Sequence, residues 1–136
     1  MHLFLDSPVF LTALGLPSES RPACARLLDR AGEGELSLHT GAECIQEIVF
    51  HRLRLQGVDL AVAQTQAVRA LCVVHPMDDE VLETGLGLIR DYGARGRDAF
   101  IAATALIAGF DTLVTTDRRF VDIPGLRRMD PADVSA

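Results

Sequence analysis

At 136 residues the chain has the size of one ordinary domain, and its 49% hydrophobic and 24% charged residues give a globular balance that excludes a disordered or low-complexity polymer. No apolar run approaches the roughly 18 residues a membrane span needs. The most signal-like stretch, 9–16, follows an acid with no Lys or Arg ahead of it, so the expected location is the cytoplasm. The net charge of −6 is a poor match to a grip on nucleic acid by bulk electrostatics; such a role needs local Arg patches and metal ions to offset the carboxylates.

Residues 2–6 (HLFLD) are a short apolar run closed by an acid, which predicts a buried strand with Asp6 at its C-terminal end; Ser7 and Pro8 then begin a new element. A helix is expected over 20–31, with Ser20 as cap, Pro22 in the first turn and Gly32 as stop. Residues 35–39 (ELSLH) alternate like a strand, Thr40 and Gly41 open a helix that halts at Gly57, and Asp59 caps another helix to about Ala70. LCVVHP predicts a third strand ended by Pro76, and Asp78 and Asp79 open a helix that Gly93 breaks. Residues 97–109 form an almost wholly apolar helix, 112–117 (TLVTTD) a fourth strand and 126–129 (LRRM) a short fifth. The alternation predicts an α/β fold: a mainly parallel central sheet of four to five strands covered by helices on both faces, as one domain over 1–136.

All 13 basic residues are Arg and the chain has no Asn, so a motif that ordinarily employs Asn must appear here with a substitute. Cys24, Cys44 and Cys72 are odd in number and widely spaced, which fits reduced core thiols. His2, His39 and His75 show no metal-ligand spacing.

In such a sheet ligands gather at the carboxyl ends of the strands, where strand order reverses. Four acids stand where this architecture brings residues together: Asp6 after strand one, Glu47 in the helix after strand two, Asp98 at the start of the buried helix and Asp117 after strand four. Asp98 and Asp117 each have a plainer reading as helix caps. Converging carboxylates repel, so a cluster persists only where cations or protons neutralise it, and oxygen-only ligands suit Mg²⁺ or Mn²⁺. Glu43, one turn before Glu47 on the same face, is the rival for the second acid. Asp122 reads as a solvated loop acid. His51, one turn beyond Glu47, reads as a surface histidine or a substrate contact. Arg52 and Arg54, Arg95 and Arg97, and Arg118 and Arg119 flank the acids and are placed to hold phosphates without reading bases.

FLDSPVF, ECIQEIVFHR and above all RDAFIAATALIAGFDTLVTTDRRF together resemble the PIN-domain ribonucleases, and among them the VapC-type toxins of bacterial toxin–antitoxin pairs. The resemblance implies a Mg²⁺- or Mn²⁺-dependent endoribonuclease cutting structured RNA, tRNA or rRNA. Asp6, Glu47, Asp98 and Asp117 would be its catalytic and metal-holding acids, with Thr115 and Ser7 in support and Arg52, Arg54, Arg97, Arg118 and His51 facing RNA. Pro8 departs from the family pattern, which has Asn or Ser two residues after the first acid. The resemblance also implies an antitoxin that inserts an Arg near the acids, and a homodimer, for which a mean hydropathy of +0.22 leaves apolar surface to cover. Two other readings stand beside it: a PIN-like binding or scaffold module with a degenerate site, and phosphotransfer through an aspartyl-phosphate on Asp6. The lack of a second Asp at position 8 and of any Lys weighs against phosphotransfer.

Overall fold

The computed structural model describes residues 1–135. Its centre is a sheet of β1 (His2–Leu5), β2 (Ser37–Gly41), β3 (Cys72–His75), β4 (Thr112–Val114) and β5 (Arg127–Met129), ordered β3-β2-β1-β4-β5 with every pairing parallel. Six helices surround it: α1 (Ser7–Ala13), α2 (Arg21–Gly32), α3 (Ala42–Leu55), α4 (Val58–Leu71), α5 (Asp79–Tyr92) and α6 (Gly96–Ile107).

Side chains alternate across a strand, and β1 sorts its residues accordingly. Leu3 and Leu5 join one core with Val9, Phe10, Leu27 and Ile48, while Phe4 joins the other with the alanines of α6, Val81 and Leu113. Each fully buried Leu or Phe contributes about 1.5–3 kcal/mol relative to exposure. The close approach of α5 and α6 depends on Gly85: the Phe100 ring lies where a Cβ at that position would go. Asp78 caps α5 by accepting from the Val81 N–H at 3.0 Å, and Gly93 ends it in the left-handed conformation at φ 66°, as its sequence signals predict.

Several boundaries differ from the sequence reading. β2 runs Ser37–Gly41 instead of 35–39, so Thr40 and Gly41 close the strand and α3 starts at Ala42, whereas Ser7 begins α1 as expected, with Pro8 in the first turn, where a missing N–H costs nothing. The N-cap of α4 is Gly57, and Asp59 falls in the first turn. β4 stops at Val114 instead of 117, because beyond it the Thr115 hydroxyl accepts from the Asp117 N–H at 3.1 Å and curls the chain into a turn.

The order reverses between β1 and β4. Asp6 leaves the end of β1 there, its N–H bonded to the Val114 carbonyl at 2.9 Å. This switch point is where an open parallel sheet offers a crevice.

Candidate active site

The crevice holds a cleft of about 420 Å³ lined by Asp6, Ser7, Pro8, Glu47, Arg95, Arg97, Asp98 and Asp117. All four acids singled out from the sequence therefore face one space. Asp6 is the most enclosed, 3% exposed. Its Oδ1 accepts from the Ser7 N–H at 2.8 Å and its Oδ2 from the Thr115 hydroxyl at 2.9 Å. Burial pushes its pKa up to about 7, beyond what these two bonds recover, and the nearby charges of Glu47 and Asp98 push the same way.

Glu47 reaches the cleft from the second turn of α3. One carboxylate oxygen accepts from the Ser7 hydroxyl, and the other meets an Arg97 guanidinium nitrogen at 2.7 Å. Ser7 thus ties the first acid to the second, through its N–H on one side and its hydroxyl on the other. Asp98 stands in the first turn of α6; burial raises its pKa, Asp117 adds to the rise, and Arg95 and Arg97 oppose it. Asp117 is held through its backbone. Its N–H donates to Thr115, its carboxylate accepts from the Arg119 N–H at 2.9 Å, and its carbonyl accepts from Arg128 Nε at 2.6 Å.

Thr115, fully buried, links Asp6 to the Asp117 backbone as donor to one and acceptor for the other. Arg128 also reaches the Thr115 carbonyl at 3.2 Å, so a residue of β5 clamps the turn that presents the last acid. The sequence reading passed over Arg128; its only signal is an Arg pair in a short strand segment, and the strand register decides which of the two points to the turn.

The rival acid, Glu43, stays out of the acid cleft. Its carboxyl lies over Gly41, where a Cβ would collide with it, and bonds the Thr104 hydroxyl at 3.0 Å. Burial raises its pKa, and its Oε2 is buried without a partner.

Of the expected RNA contacts, Arg54 and Arg118 are exposed, and Arg97 is exposed beside Glu47. His51 is half-buried, one ring nitrogen enclosed without a partner, and burial lowers its pKa. Arg52 is a correction: only 8% exposed, it donates to Gln64 at 2.9 Å and Gln56 at 3.2 Å, joining α3 to α4 rather than facing a ligand. The other three histidines, which show no metal-ligand spacing in the sequence, form a row across β1, β2 and β3, with His39 3.0 Å from His2 and 2.9 Å from His75. Among the described residues no three His, Cys, Asp or Glu side chains stand in a ready-formed metal cluster, although the four acids line one cleft.

The PIN domain family model matches residues 3–126. The chain belongs to the PIN domain family. It is similar to ribonuclease VapC7 of Mycobacterium tuberculosis (strain ATCC 25618 / H37Rv), 29% identical over 132 residues that cover 95% of this chain and 91% of that protein. The crystal structure of VapBC2 from Rickettsia felis, bound to a promoter DNA fragment, has a similar fold: TM-score 0.74 at 15% identity, covering 96% of this chain and 98% of that one. Another is M. tuberculosis VapC20, a sarcin–ricin-loop-cleaving toxin, with TM-score 0.67 at 21% identity over 89% of this chain and 98% of that one. The PIN domain here presents its acids from β1, α3, α6 and the turn after β4. No helix among the described residues is long and apolar enough to cross a membrane.

Proposed function

We propose that this PIN domain is a metal-dependent endoribonuclease, the toxin of a toxin–antitoxin pair, cleaving a phosphodiester in structured RNA such as tRNA or rRNA. One observation carries the reading: Asp6, Glu47, Asp98 and Asp117 face a single cleft at the sheet's switch point. The similarity to a named VapC ribonuclease supports it.

The donor set fits a hard divalent cation, Mg²⁺ or Mn²⁺, because it offers oxygen only and its like charges repel until something positive lies between them. Asp6 and Asp117 would be the main ligands, with Asp98 and Glu47 completing the inner and outer shells. When bound, the cation lowers the pKa of a water and offsets charge on the phosphoryl oxygens. The chain's own residues do the rest. Thr115 and Ser7 fix both oxygens of Asp6, and Thr115 positions the Asp117 backbone. Glu47 and Asp98 orient the attacking water, and Arg95 and Arg97 stand on the cleft wall to meet the phosphate. Pro8 occupies a helix-first-turn position and leaves the Asp6 bonds in place, so the departure at position 8 does not disorient the first acid.

Two partners follow from the same reading. An antitoxin tail carrying an Arg inhibits by pairing its guanidinium with the cleft carboxylates; a peptide with that Arg changed to Ala inhibits more weakly. A second copy covers exposed apolar side chains such as Leu55, Val58, Leu60 and Val62, and light scattering gives a dimer rather than a 14.7 kDa mass. The enzyme itself is tested on a total tRNA and rRNA pool with Mg²⁺. Wild type cuts, while Asp6→Asn and Asp98→Asn do not. Equal cleavage by all three defeats the proposal.

A further inference from the structure

The ground beside the acid cleft has the chemistry of a base-binding subsite. Phe50 follows Glu47 by three residues on α3, so the two share a face. Phe4 and Phe10 are fully buried, whereas Phe50 is 55% exposed. It lines two depressions, one of about 320 Å³ that Met77 and Phe100 also line and one of about 370 Å³ that His51 and Arg54 also line. Glu47 and Arg97 wall both of these and the acid cleft as well, so the three spaces meet at the Glu47–Arg97 ion pair.

Phe50 lines both spaces that adjoin the acid cleft at that pair. The occupant must suit both an aromatic face and the guanidinium groups of Arg54 and Arg97. A purely apolar segment would draw the exposed Arg54 and the Glu47–Arg97 ion pair out of water and add no partner for either, which is costly. An unpaired nucleotide brings a flat base for the ring and phosphates for the arginines, the combination by which proteins hold single strands. A base inside a duplex is already stacked and does not reach the ring.

We propose that Phe50 is a stacking platform for one unpaired base beside the scissile phosphate, with Arg54 and Arg97 beside it to hold the flanking phosphates. This rests on the ribonuclease reading and adds a base contact to it.

The test uses a ten-nucleotide RNA carrying 2-aminopurine, alone and annealed to its complement, titrated in Ca²⁺ buffer under which the strand stays intact. Wild type quenches the single strand saturably and the duplex far more weakly, because a base stacked on an aromatic ring loses fluorescence. Phe50→Ala and Phe50→Leu weaken single-strand binding about tenfold or more, while Phe50→Tyr stays within about threefold. Equal binding by Phe50→Ala or Phe50→Leu and wild type overturns the proposal, as does duplex binding as tight as single-strand binding. A loss of self-association or of partner-peptide binding in Phe50→Ala, with RNA binding unchanged, gives the face to a protein and overturns it too. Cleavage is followed separately in Mg²⁺. Cleavage by wild type with Phe50-independent binding leaves the ribonuclease reading standing alone, and Phe50-dependent binding without cleavage supports the platform while removing that reading.

Discussion

Asp6 and Glu43 are both carboxyls drawn out of water and bonded to a threonine of another element, yet only Asp6 opens on the acid cleft. Asp6 has a donor on each oxygen and like charges across the space in front of it. Glu43 has one partner, an orphan oxygen, and a berth made by the missing Cβ of Gly41. The Thr104 hydroxyl, with one proton, also lies 2.8 Å from the Phe100 carbonyl; when it donates there, a protonated Glu43 returns a donation to it. Both environments raise a carboxyl pKa by burial. The pair teaches that burial by itself does not mark an active acid. What sets Asp6 apart is its position at the switch point, among other acids.

The sharpest way to break the comparison is Asp6→Asn. Cleavage should fall at least about 10²-fold, as when a preorganised charge-handling group is removed. The same variant should be more stable than wild type at pH 8 without added metal. The ordinary pKa of Asp6 is 3.8 and its folded value about 7, so between those pH values the folded chain holds a proton that the unfolded chain has released. Wild-type stability therefore falls as pH rises from about 4 to 7 and stays reduced above, by as much as about 4 kcal/mol from this group. Urea midpoints at pH 5 and pH 8 check this: wild type loses more than Asp6→Asn. A wild-type midpoint that rises with pH contradicts the burial of a strained acid.

Thr115→Val comes next. It removes the donor to Asp6 and the acceptor for the Asp117 N–H in one step, so about 1–3 kcal/mol of stability should go, with about tenfold of the cleavage rate. Thr115→Ser restores the hydroxyl and should recover cleavage to within about threefold, measured on the same RNA pool. Glu43→Gln should do least: cleavage within about twofold of wild type, and a slightly higher melting temperature above neutral pH, since it removes a buried ionisable group that faces no cation. A large loss of cleavage would move Glu43 into the site and erase the contrast with Asp6.

Asp6 and the α5 caps were legible because each rests on local spacing: an acid closing a short apolar run, an Asp before a helix, a Gly after it. The fold class followed from the alternation of strands and helices, while Glu47 was preferred to Glu43 through the resemblance, since spacing on one helix face leaves both open. Thr115 and Ser7 entered through the resemblance rather than through spacing. Their hydrogen bonds join residues up to 109 positions apart, and the structure alone assigns them. Arg52 misled because Arg52 and Arg54, two residues apart on one helix, read as alike. The former is turned inward by Gln56 and by Gln64 of α4, and nothing in the spacing of α3 tells of α4. The histidine row was hidden for a similar reason. It depends on the register of three strands, in which Phe4 opposes His39 and Gly41 opposes His75. Phe50 was not singled out in the sequence, because its exposure follows from how α3 packs and not from its spacing.

The central claim, that these four carboxylates form a working cation site rather than a relic on a scaffold, is met most directly by calorimetric titration of the apo-protein with Mn²⁺ at pH 7. Wild type should take up Mn²⁺ saturably and release protons, because an Asp6 that titrates near pH 7 must ionise to coordinate. Asp6→Asn should bind far more weakly and release fewer protons. Negligible Mn²⁺ uptake by wild type, or uptake unchanged by Asp6→Asn, would contradict the account.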